Sequence, residues 1–388
     1  MTAALFPLGS RRRARRVTAL IALVLASIAI VVASAQDIGI RQYNPKSTLV
    51  VPEHPVARAR YPVVDVHSHH FRLTPERYGE VVEAMDALNL QILVNLSGGT
   101  GERLRSGLAL VAGSEAPDRM VFFANLDFDD LNEQGYGARA AARLEADVQA
   151  GARGLKIYKN LGLTLERADG TRVPVDDPEL DPVWAACGRL RIPVLIHTGE
   201  PAPFFDPVDE TNERWLELQL HPNRRRPASA FPSFEALMAE RDRMFAKHPG
   251  TTFIAAHFAY HANDLDRLGA LFDRLPNVHT ETGAILAELG RQPRAARAFF
   301  EKYQDRVLFG KDSWAPAEYP YFWRTFETAD EYFDYYRDYH AFWKIYGLDL
   351  PDQVLRKLYY GNALRLIPGL PASAFPPATG GSASRGAR

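Results

Sequence analysis

The chain has 388 residues, 46% of them hydrophobic and 24% charged, with 46 lysines and arginines against 47 aspartates and glutamates. These are the proportions of a folded protein, and a formal charge of -1 with acids and bases interleaved excludes a nucleic-acid footprint. The one cysteine, Cys187, excludes an internal disulfide and a cysteine-based zinc site, so any metal must be held by histidine and carboxylate.

In chain order the first element has the form of an export signal. Residues 11–16 read RRRARR, and the uncharged run VTALIALVLASIAIVVASA follows, ending in small residues at Ala33-Ser34-Ala35. The basic cluster stays cytoplasmic while the apolar run enters the membrane, and Ala33 and Ala35 suit cleavage before Gln36. Residues 1–35 are therefore expected to be a signal peptide that exports the protein to the periplasm or the exterior. The alternative is an uncleaved anchor through residues 17–35, which would be its one membrane contact. Residues 36–60 read as an irregular arm, 61–370 as the folded body, and the Pro-, Gly- and Ser-rich 371–388 as a disordered tail.

Within the body, short runs rich in Val, Ile or Phe alternate with stretches of helical periodicity. Strands are predicted at 62–67, 90–96, 119–127, 152–158, 192–198, 251–257, 277–282 and 305–312, and helices include 75–88, 133–150, 181–190, 233–247, 263–274 and 291–303. Eight strand-then-helix units predict an α/β fold, a (β/α)8 TIM barrel. The rival, a doubly wound open sheet, would carry a phosphate loop, but Ser97-Gly98-Gly99-Thr100-Gly101 lacks both the Walker lysine and the G-x-G-x-x-G spacing and reads as a flexible barrel loop. Two long βα loops depart from a minimal barrel. One is 199–232; the other, 314–346, carries aromatics such as Trp314, Trp323, Tyr336 and Phe342 and reads as a helix packed on the barrel wall or a contact between copies, with a substrate wall as the alternative.

Histidines and acids fall at strand ends, which face the catalytic mouth of such a barrel. His67 and His69 end the first strand, His197 the fifth and His257 the sixth, and Asp312 ends the eighth. Residues i and i+2 of a strand point the same way, so His67-Ser68-His69 aims two imidazoles into one space, with Asp65 of the same parity able to orient one of them. Imidazole and carboxylate together suit a divalent ion such as zinc. On the fourth strand Gly154, Lys156 and Tyr158 share the inward face, where an ammonium needs an acid, a substrate or a carbamate as partner, a structural salt bridge and a functional role being equally open. His70, His221, His261, His279 and His340 read as ordinary, and Arg224-Arg225-Arg226 as a solvated charged turn.

The ordered set Asp65-Val66-His67-Ser68-His69, Gly154-Leu155-Lys156, Ile196-His197, Ala256-His257 and Phe309-Gly310-Lys311-Asp312-Ser313 resembles the amidohydrolase superfamily over about 61–366. The nearest branch is the amidohydrolase-2 group that includes aminocarboxymuconate semialdehyde decarboxylase. The resemblance implies one divalent metal, usually zinc, held by His67, His69, His197 and Asp312, with His257 as base or acid. It also implies a two-metal variant if Lys156 is carbamylated. A Thr is common in the family where Lys311 stands; this extra cation is expected to meet a substrate carboxylate or Glu281, which joins Asp65 as outer support. The function expected is a metal-dependent hydrolase in which water activated on the metal attacks an amide, lactone or ester carbonyl of a small molecule. The alternatives are non-oxidative decarboxylation on the same site and a non-catalytic exported binding protein, either as a monomer or as a homo-oligomer.

Overall fold

The computed structural model describes residues 38–340 and 343–377. The export signal or anchor at 1–35 and Phe342 lie outside the described residues; among those described, no helix is long and apolar enough to cross a membrane. The chain divides into two units, Met1–Leu49 and Val50–Arg388. In the first, 38–49 is a turn followed by extended chain without regular pairing. In the second, the rest of the predicted arm is held down: His54 N–H and Nδ1 meet Asp330 at 2.7 and 2.6 Å, and Arg60 binds Asp352 at 2.8 Å.

Eight parallel strands run in the order of the chain: β1 Val63–Ser68, β2 Leu90–Asn95, β3 Met120–Asn125, β4 Gly154–Ile157, β5 Val194–Ile196, β6 Phe253–Ala255, β7 Val278–Glu281 and β8 Val307–Leu308. This is a nearly closed (β/α)8 barrel. The seam between β8 and β1 is made by single contacts: Val66 N–H donates to Phe309 O at 2.9 Å, Asp312 N–H donates to His67 O at 2.7 Å, and Ser68 bridges Asp312. The eighth predicted strand, 305–312, therefore pairs regularly over two residues only. Inside, Phe123 of β3 lies beside Gly154 of β4. A Cβ on Gly154 would stand 2.5 Å from the Phe123 ring, so this position needs glycine.

The helices of the outer layer are α1 Pro75–Leu88, α2 Gly101–Ala112, α3 Tyr136–Ala150, α4 Asp181–Leu190, α5 Phe234–Lys247, α6 Leu265–Arg274, α7 Pro293–Lys302 and α8 Tyr319–Glu327. The helical run 352–366 follows, composed of α9 Asp352–Arg356, a π-turn at Lys357–Gly361 and α10 Asn362–Leu366. Their starts follow local chemistry. Thr74, Ser233 and Asp264 cap the backbone N–H groups of Arg77, Ala236 and Arg267, and Pro75 and Pro293 stand in first turns where no N–H is needed. The π-turn packs against β8 and β1, and Leu358 O accepts from Phe309 N–H at 2.9 Å. The tail expectation is corrected over 371–377: Ala372–Ala374 forms a helical turn and buried Phe375 stacks on Tyr360 at 5.2 Å. An aromatic anchor there outweighs the Pro and Ala composition.

Candidate active site

The barrel-closing hydrogen bond from Asp312 to His67 also builds the site, because it brings the end of β8 beside the end of β1. Asp312 has φ 88, a left-handed conformation that turns its carboxylate back over the barrel mouth. Its Oδ1 lies 3.6 Å from His67 Nε2 and 3.7 Å from His69 Nε2. The three ligand atoms fall within 4.8 Å of one another, which makes the set able to hold a divalent ion.

The hydrogen bonds around the imidazoles determine which nitrogen carries the proton. His67 Nδ1 donates to Glu281 Oε1 at 2.9 Å, and its buried Nε2 has no hydrogen-bond partner. Tyr158 O–H donates to Leu96 O at 2.8 Å, so Ser97 Oγ–H donates to Tyr158 at 2.9 Å and His69 Nδ1–H donates to Ser97 Oγ at 2.7 Å. Both histidines thus present a bare Nε2 to Asp312. Burial, with Lys156 nearby, pushes His67 well below the ordinary histidine range and His69 down to about 4. Burial alone would raise Asp312, but the facing imidazoles of His67, His257 and His69 hold it down at about 2. Neutral imidazoles around an ionised carboxylate are the protonation state a divalent metal requires.

His197, the fourth ligand expected, lies outside this group of atoms within 4.8 Å. His257 Nδ1–H donates to Gly283 O at 2.8 Å, which leaves Nε2 to accept from His197 Nδ1–H at 3.3 Å; His197 Nε2 in turn accepts from Tyr260 O–H at 2.7 Å. Both nitrogens of His197 are therefore engaged, and it stands one ring behind His257. His257 itself adjoins His67, with ring centroids 5.0 Å apart. His67, His257 and Glu281 form a second group of ligand atoms within 4.8 Å.

The supporting acids differ in role. Glu281 orients the His67 ring and also accepts His257 N–H at 2.7 Å. Asp65 does not reach an imidazole. It accepts the backbone N–H of His67 at 2.9 Å and of Lys311 at 3.2 Å, and Tyr319 O–H at 2.6 Å, so it stitches the seam; burial pushes its carboxyl up to about 7. Lys311 meets neither Glu281 nor the cavity: buried, it donates to Ser313 O at 2.7 Å and pairs with Glu318. Lys156 faces the barrel interior as its parity predicts. Its Nζ is buried without a hydrogen-bond partner, so the structural salt bridge is absent, and burial lowers it to about 8 against the pull of Asp312 and Glu281.

A cavity of about 320 Å³ opens over His197, His257 and Asp312, walled by the two long loops. A second cavity reaches Asp312 from the side of His69, His70 and Trp314. The segment around α8 has two parts. Tyr319, Phe322, Trp323 and Phe326 are buried, with Phe309 packed among their rings, as a wall helix should be, whereas Arg337 and His340 line the first cavity. Arg224 and Arg226 are not a solvated turn: they pair with Glu217 and Glu200, acids of their own loop. The glycine-rich stretch at 97–101 is pinned, with Gly99 N–H on Asn125 Oδ1 at 2.8 Å and Thr100 on Asp147. Residues 97, 260 and 283 were not foreseen. No sequence periodicity marks them, since each meets its histidine across a loop.

The family model for Amidohydrolase, Amidohydro_2, matches residues 108–369. No curated protein matches the sequence. Among solved structures, a 2,6-dihydroxybenzoate decarboxylase from Rhizobium is 18% identical, with 79% of this chain and 98% of that chain covered at a TM-score of 0.51. A dihydroxybenzoic acid decarboxylase from Polaromonas, solved with bound manganese and 2-nitroresorcinol, is 14% identical over 79% and 96% at 0.51. A 5-carboxyvanillate decarboxylase from Sphingomonas paucimobilis is 13% identical over 79% and 99% at 0.50. At these identities the likeness is one of fold.

Proposed function

The chain belongs to the Amidohydro_2 family of amidohydrolases, and from that premise we propose that it is a divalent-metal-dependent hydrolase of an amide, lactone or ester bond in a small molecule. The observation that carries this is the pair of bare Nε2 atoms of His67 and His69 converging on ionised Asp312. His67, His69 and Asp312 would hold the ion, and the nitrogen and oxygen donors suit zinc. A divalent ion bound there supplies a Lewis acid that polarises a carbonyl and acidifies water. The chain's own part is proton handling. Gly283 O fixes the proton of His257 at Nδ1, so Nε2 is its one basic nitrogen. Tyr260 O–H donates to His197 Nε2 and His197 Nδ1–H to His257 Nε2, a hydrogen-bonded chain behind the nitrogen that takes a proton and returns it to a leaving group. Lys156, buried and unpartnered, is the group that would carry a carbamate and with it a second ion.

The second reading is non-oxidative decarboxylation, favoured by the decarboxylase names of the three structures of like fold. A panel of amides, lactones, esters and aromatic carboxylic acids, run with the metal-loaded protein in ¹⁸O-labelled and in deuterated water, separates the two. Hydrolysis places ¹⁸O in the product carboxyl. Carbon dioxide release with deuterium on the product carbon would replace it with the second reading, and no turnover across the panel would remove both.

A further inference from the structure

The charges on the wall of the 320 Å³ cavity are paired with two exceptions. Lys159 faces Glu200 at 2.7 Å, Arg214 is buried between Glu217 and Glu288, and the other lining charges are likewise matched. The exceptions are Asp312, which belongs to the metal cluster, and Arg337. Among the described residues the Arg337 guanidinium makes no ion pair and no side-chain hydrogen bond; it lies over the Tyr336 ring at 5.5 Å. Burial works against its charge, but Tyr335, Tyr336 and Tyr339, and after them Asp312, hold it in the charged form. A half-buried guanidinium without an acid partner keeps its donors free, and its fork of donors matches a carboxylate. Once a divalent ion has neutralised Asp312, Arg337 is the lining charge left without a partner among the described residues.

We propose that Arg337 is the specificity-determining residue of this cavity and that the ligand carries a carboxylate, held by Arg337, in addition to the group that meets the metal cluster. This rests on the assignment of the cavity as the substrate pocket. The loop between β8 and α9 then has two tasks: its α8 part packs on the barrel, and its 337–340 part reads the substrate's charge.

Benzoate and benzamide, alike in shape and different in charge, are the probes. Their binding to the metal-loaded full chain is measured by calorimetry for wild type, Arg337→Met and Arg337→Lys, with metal content determined on each sample. Benzoate is expected to bind wild type roughly tenfold or more tighter than benzamide, as a charge-assisted pair requires. That preference should collapse in Arg337→Met, return in part in Arg337→Lys, and leave benzamide binding unchanged. Equal preference in Arg337→Met would show that the carboxylate is held elsewhere, and no preference in wild type would also overturn the assignment. Turnover plays no part in this test. If the benzoate preference holds while every hydrolysis assay fails, the proposed reaction falls and the anion subsite stands.

Discussion

Glu281 is fully buried and accepts three hydrogen bonds, from the His67 ring, His257 N–H and Gly283 N–H. The neighbouring Gly310 leaves room for it, since a Cβ there would stand 2.2 Å from Glu281 Oε2. Replacing Glu281 by Gln preserves the volume but turns an amide N–H₂ toward a group that also donates, so His67 loses its fixed orientation. We expect Glu281→Gln to remain folded and to bind zinc roughly 10- to 100-fold more weakly, measured by competition with a chelator. Unchanged affinity would mean that His67 is oriented by something other than Glu281. Residues 67, 69 and 312 were legible because a barrel turns strand ends into one mouth, so position along the sequence reports position in space. Ser97, Tyr260 and Gly283 were not, because a hydrogen bond between loops leaves no periodic trace.

The turn after β6 is the most unusual local element. His257, Phe258, Ala259 and Tyr260 have φ of 58, 55, 53 and 56, four consecutive residues in the left-handed region. Each such residue costs about 1–2 kcal/mol, so the turn persists only because its surroundings hold it. Arg241 of α5, buried, donates to Ala259 O at 2.7 Å, and the Phe258 ring packs on Phe299 and Phe300. The result is functional geometry: His257 and Tyr260 come to opposite nitrogens of His197. Glycine visits this region without penalty, so Ala259→Gly should raise unfolding free energy by up to about 1 kcal/mol in chemical denaturation, where Ala→Gly in ordinary helix or strand lowers it. A loss of stability would mean the strain is not at this residue. Such a turn was invisible in the sequence, since Phe, Ala and Tyr have no preference for it. Helices were clearer. The bounds of α1 and α4 follow from Thr74 and from the prolines near their starts, whereas α3 begins at Tyr136 because Gly135, at φ 76, interrupts the run predicted from 133.

At the scale of the molecule, the barrel is closed least regularly where it carries its chemistry. Seven strand pairs have ladders, while the eighth seam consists of single bonds that include Asp312 N–H to His67 O. Periodicity made the eight-unit barrel legible, because parallel strands buried on both faces read as apolar runs. It gave no access to the cavity walls. There the loops 199–232 and 314–346 are held by Arg214, Glu217, Glu288 and His340, an ionic cluster assembled from three separate loops. The cluster of His67, His69 and Asp312 at the seam is the claim from which the reaction and the cavity assignment both follow. Its most direct test is metal stoichiometry by elemental analysis, on protein purified without chelator, for wild type and Asp312→Asn, with circular dichroism on the same samples. The account predicts at least one divalent ion per wild-type chain and its loss from a folded Asp312→Asn. Full occupancy retained in Asp312→Asn, or a wild-type chain that takes up no divalent ion even when it is supplied, would contradict it.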